Sequence, residues 1–129
     1  MSKSTISKET VLRIGIIFSL LTVAIGAFGA HSLSDLLIEN GRTDTFKTAV
    51  LYQMFHSIAI IITPLLFDNY MIKRLVTAFY LFVGGIIFFS GSLYILSVTN
   101  IGVFGAITPI GGILFIVGWF YLLLSLKKT

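Results

Sequence analysis

The sequence predicts an all-α fold, an integral membrane four-helix bundle with a short amphipathic surface helix between the first two spans. Three observations predict it. Of the 129 residues, 57% are apolar and only 11% are charged, whereas a soluble domain carries about 25% charged residues. Four runs, residues 14–33, 48–67, 75–98 and 103–126, contain no Asp, Glu, Lys or Arg, and each meets the length of about 17–25 residues that a membrane-crossing helix needs. The connections between them are short, so residues 1–129 read as one transmembrane domain, with a mean hydropathy of +1.03.

The first run follows Lys3 and Lys8 and closes on small residues, as a secretory signal does. A signal core spans only about 7–15 apolar residues; this run is longer and reads as a retained span. Residues 31–47 form the one sizeable connection. Leu33, Leu36 and Leu37 recur there at helical spacing while Asp35 and Glu39 point elsewhere, and Asn40-Gly41 is a helix-stop pair. Thr43 to Thr45 offer caps for the second span. Pro64 in that span and Pro109 in the fourth are each expected to bend or start a helix, and Thr108 before Pro109 has a hydroxyl that can rejoin a carbonyl that proline frees.

Small residues mark the faces on which membrane helices meet. Gly26 and Ala30 form a small-xxx-small pair in the first span. Gly84 and Gly91 in the third, and Gly111 and Gly118 in the fourth, repeat at seven residues, which predicts a closely packed hairpin of the last two spans.

The formal charge is +4, from nine Lys and Arg against five Asp and Glu. The cations stand in ones and twos beside the apolar runs, with no stripe that follows a phosphate backbone, so lipid and not nucleic acid is the expected partner. Lys3, Lys8, Arg13, Lys73, Arg74, Lys127 and Lys128 fall on one side of the four spans and only Arg42 and Lys47 on the other. That bias places both termini in the cytoplasm. With no cysteine there is no disulfide framework and no thiol nucleophile.

Function then rests on a few neutral polar residues. His31 lies at the outer end of the first span; Tyr52, Gln53 and His56 lie in the second; Ser90, Ser92 and Tyr94 lie in the third. Two readings stand side by side: a polar cavity in the outer half of the bundle, or interhelical hydrogen bonds worth about 0.6 kcal/mol each. The two histidines differ in depth by roughly 10 Å at about 1.5 Å per residue, and no third imidazole or embedded acid completes a metal shell. Ser90 and Ser92 lack an orienting acid. No catalytic residue, metal or cofactor is therefore assigned.

The runs GAFGAH at 26–31, TAVLYQMFHSIA at 48–59, FFSGSLY at 88–94 and ITPIGGILFIVGW at 107–119 together resemble the domain of unknown function 423 family. These are small four-span bacterial membrane proteins of the YgdD kind, similar also to the eukaryotic transmembrane protein 256. The resemblance implies a fold and a bacterial cytoplasmic membrane location, and it brings no reaction with it. It marks His31, Tyr52, Gln53, His56, Ser90, Ser92, Tyr94, Thr108, Pro109 and Trp119 as motif positions. The function expected is non-catalytic: an accessory or assembly protein, or a lipid or quinone binder, with a second copy or another membrane protein as further partner. The alternative is an oligomeric transporter or channel subunit whose polar path is the His/Gln/Tyr cluster.

Overall fold

A computed structural model describes residues 5–127; Lys3 and Lys128, counted above for orientation, lie outside them. Helix α1 covers Lys8–Ala30. Its Ser7 cap accepts the Thr10 N–H at 3.1 Å, and Glu9 stands in the first turn against the positive end of the helix dipole. The helix thus begins before the charge-free run, because Lys8, Glu9 and Arg13 favour helix even though they stand outside the hydrocarbon.

The short helix α2, Ser34–Asn40, buries Leu37, half-buries Leu36 and leaves Asp35 and Glu39 exposed. Gly41 ends it in the left-handed region at φ 64°, where a side chain is strained. Arg42 donates its N–H back to Leu37 O at 2.8 Å and accepts the N–H of Phe46 at 3.0 Å. This turn runs straight into α3, Thr43–Ile62, with Arg42 at the cap position. Thr43 to Thr45 are therefore first-turn residues and not the caps expected.

A 3-10 turn, Thr63–Leu66, carries α3 onward past Pro64, whose missing N–H breaks the α pattern. The third span is continuous but composite: α4, Ile72–Gly85, then one π-helical stretch, Ile86–Ser90, then α5, Gly91–Thr99. Asn100 turns the chain at φ 56° into α6, Val103–Ser125. These give four helices long and apolar enough to cross a membrane, with no strand among the described residues.

Helix α1 packs on α3, α4 packs on α6, and the two hairpins meet where α3 lies along α5 and the π stretch. Buried residues make up 44% of the apolar stretch in the second and third spans but 17% in the first and fourth, so the middle pair forms the centre. The main core gathers Val11, Ile60, Leu75, Phe79, Phe82 and Phe115; Ala49, Leu93 and Leu96 form a smaller cluster nearer α2.

Close approaches fall on glycines. A Cβ on Gly118 would stand 2.8 Å from the Phe82 ring, and one on Gly111 would collide with the backbone N of Phe89 in the π stretch. Gly84 and Gly26 have ordinary or slightly tight neighbours, Leu114 at 3.3 Å and Val50 at 3.5 Å. Two expected packing positions are corrected. Ala30 is exposed, and Gly29 is the residue pressed on Phe46. Gly91 has only Ile86 O of its own span near it, at 3.9 Å, while Gly85 is the one pressed on Phe115. The π stretch explains the second case: its wider turn inserts a residue between Gly84 and Gly91 and breaks the seven-residue phase.

Both ends are latched. At the α2 end, Asn40 Nδ2 donates to the free carbonyls of Ser97 and Val98 at 3.0 and 3.1 Å, and Arg42 Nε donates to Asn100 Oδ1 at 2.9 Å. At the end that carries the termini, Arg74 donates to Leu124 O at 2.7 Å, Met71 N–H to Ser125 O at 3.1 Å, and Lys8 pairs with Asp68.

Candidate functional site

The polar residues of α3 are buried at its centre. Gln53 and His56 are each 2% exposed, and His56 stands 13 residues after Thr43 and 10 before Leu66. That is near the middle of the helix.

Trp119 Nε1 donates to His56 Nε2 at 2.9 Å, and His56 Nδ1 lies 2.7 Å from the carbonyl of Tyr52. An indole N–H only donates and a carbonyl only accepts, so the imidazole is neutral with its proton on Nδ1. The Phe115 ring stacks on it with centroids 3.5 Å apart and planes 10° from parallel.

Gln53 makes a separate junction. Its Nε2 donates to Phe18 O at 3.1 Å, and its Oε1 accepts the Tyr94 hydroxyl at 2.6 Å, so one side chain joins α1, α3 and α5. Ser90 donates to Ala49 O at 2.8 Å, and Ser92 shares a 2.7 Å bond with Thr108. Thr108 also reaches Phe104 O at 3.3 Å. Among the described residues every buried side-chain nitrogen or oxygen has a partner.

The seven polar candidates therefore do not line one cavity. His31 is exposed, because α1 ends at Ala30 and its side chain lies beyond the bundle. Ser90 is fully buried. Gln53, Ser92 and Tyr94 border a groove of about 490 Å³ between α1, the third span and the start of α6. Tyr52 and His56 border another, of about 520 Å³, between α3 and α6. A third, of about 250 Å³, lies under α2 beside Gly29 and Lys47.

The α3–α6 groove is the most chemically distinctive. Leu51, Tyr52, Phe55, His56, Phe89, Gly112, Phe115, Ile116 and Trp119 line it. Its rim residues Leu51, Phe55 and Ile116 are 55%, 57% and 71% exposed, so it opens sideways, toward lipid. Tyr52 packs against Phe89 with centroids 4.5 Å apart and planes tilted by 32°, and Phe55 against Trp119 at 5.2 Å with a tilt of 34°. The π stretch sets Phe89 in this wall, held from behind by Gly111.

Sequence reasoning missed Phe89, Gly112, Phe115 and Ile116 as lining residues, and missed Trp119 as the partner of His56. The signal was partly present, since Phe115 and Trp119 are four apart on one helical face. The phase shift of the π stretch left no periodic trace.

A family model described as a protein of unknown function, DUF423, matches residues 25–112. The UPF0382 membrane protein YwdK of Bacillus subtilis is 42% identical over 116 residues, covering 89% of this chain and 94% of the relative. The UPF0382 membrane protein SH2409 of Staphylococcus haemolyticus is 43% identical over 115 residues, with 89% and 93% covered. A UPF0382 membrane protein of Haemophilus influenzae is 43% identical over 99 residues, with 75% and 77% covered. No solved structure matches the chain. The family match takes in α2, α3, the whole third span and the glycine-bearing start of α6, and with relatives this similar over nearly their full length, the chain belongs to the DUF423 family of membrane proteins.

Proposed function

We propose that this protein is a non-catalytic binder of an apolar small molecule of the membrane, a lipid or a quinone, held in the groove between α3 and α6. The observation that carries the reading is the groove's construction. Its volume of about 520 Å³ falls in the range of about 300–1,000 Å³ usual for small-molecule sites. Its walls are aromatic, its rim is exposed to lipid, and Gly112 leaves a gap where any other residue would place a side chain.

The alternative of a polar conduit draws less support. Gln53, His56, Tyr94 and Trp119 use their polar atoms on one another or on backbone, so they tie helices together and offer no continuous path. The Lys and Arg bias supports an orientation in the bacterial cytoplasmic membrane with both termini inside.

The test is mass spectrometry of apolar compounds that co-purify in mild detergent with the wild type and with Gly112→Leu. A Cβ at position 112 has nothing nearer than Phe89 Cδ2 at 3.8 Å, so an added side chain enters the groove without a clash at its root, and an unchanged thermal unfolding midpoint checks that the variant is folded. A compound enriched with the wild type and depleted in the variant is expected. Identical profiles would sink the proposal.

A further inference from the structure

Tyr52 borders the groove, is 41% exposed, and its hydroxyl makes no hydrogen bond among the described residues. It stands four residues after Thr48, where the charge-free run of the second span begins, about 6 Å along the helix at about 1.5 Å per residue, so the phenol sits near the start of its span. The other hydrogen-bonding groups of the groove wall are occupied. His56 uses both ring nitrogens and Trp119 uses its indole N–H. An O–H without a protein partner on the wall of an apolar groove is a donor that a ligand can satisfy.

We propose, resting on the binding role given above, that the groove takes a flat ring carrying a carbonyl, the head of a membrane quinone, with Tyr52 donating its hydroxyl to that oxygen. Two features favour a ring over an acyl chain. The walls are built of aromatic rings, Tyr52, Phe55, Phe89, Phe115 and Trp119, and offset or edge-to-face aromatic contacts reward a flat ligand beyond area alone. The single free polar group is a donor, which an alkyl chain cannot use. The exposed rim at Ile116 leaves an exit through which a prenyl tail reaches the bilayer.

Trp119 is the only tryptophan in the sequence and lines the groove, so quenching of its fluorescence reports occupancy directly. The probe is decylubiquinone, titrated into detergent-solubilised wild type, Tyr52→Phe and Gly112→Leu, with decylbenzene as a carbonyl-free competitor. Saturable quenching in the wild type is expected, weakened about five- to tenfold in Tyr52→Phe and lost in Gly112→Leu. Decylbenzene displaces the quinone weakly from the wild type and more effectively from Tyr52→Phe, in which the hydroxyl is gone. Equal midpoints for wild type and Tyr52→Phe, or displacement by decylbenzene as effective as by the quinone itself, would overturn the carbonyl anchor and leave an apolar-ligand groove standing. Quenching in Gly112→Leu as strong as in the wild type would overturn the groove reading itself.

Discussion

The indole N–H of Trp119 is donated to Nε2 of His56 across 2.9 Å, and this bond joins α6 to α3 at mid-depth. Because the other nitrogen is committed to Tyr52 O, loss of Trp119 strands a buried acceptor. Trp119→Phe is expected to lower stability by about 1 kcal/mol, read from thermal unfolding in detergent. Trp119→Phe combined with His56→Leu should cost less than the sum of the two single changes, since the double variant leaves no orphaned group; strict additivity would mean that the bond contributes nothing.

Adjacent glycines in α6 should behave oppositely. Gly111 abuts the Phe89 backbone, whereas Gly112 faces only the Phe89 ring at ordinary contact distance. Gly111→Ala is expected to destabilise by about 1–3 kcal/mol, because backbone cannot move aside as a side chain does. Gly112→Ala should stay within about 0.5 kcal/mol of the wild type. Denaturant or thermal unfolding of the two variants side by side checks this.

Gln53 and Tyr94 are a second pair open to a cycle. Gln53→Leu leaves the Tyr94 hydroxyl without its acceptor and is expected to cost about 1–2 kcal/mol. Adding Tyr94→Phe should restore part of that loss, because removing both partners leaves nothing unsatisfied. A double variant less stable than Gln53→Leu alone would contradict the arrangement.

Asn40 holds α2 to the end of α5 through two backbone carbonyls. Asn40→Ala should therefore speed amide hydrogen exchange across Ser34–Asn40 and the last turn of α5, while the midpoint of global unfolding moves little. Unchanged exchange in α2 would show that Leu37 alone keeps it seated.

The four spans were legible because charge exclusion by lipid acts on every residue of a crossing helix. The α2 stop was legible for a local reason, since Asn40-Gly41 permits a left-handed turn. The Thr43–Thr45 cap was misread because the turn closing α2 also opens α3 and leaves no room for a separate cap. The glycine repeat at 84 and 91 failed for want of one fact, the π stretch between them, which no hydrophobic period reveals. The polar candidates were singled out by type, but their grouping was not legible. Which of them meet depends on how α3 and α6 are rotated, and the aromatic partners Phe115 and Trp119 read simply as apolar filling.

The composite third span runs 28 residues, Ile72–Thr99, against 23 for the first and fourth. Its charge-free part, residues 75–99 after Lys73 and Arg74, measures roughly 37 Å at about 1.5 Å per residue, while the hydrocarbon slab is about 30 Å thick. Hydrophobic mismatch is relieved by tilt or by overhang, and the last turn of this span is where Ser97 and Val98 present their carbonyls to Asn40. The longest helix thus serves as a post, and the seat of α2 is set by the length of a helix to which it is not adjacent in sequence.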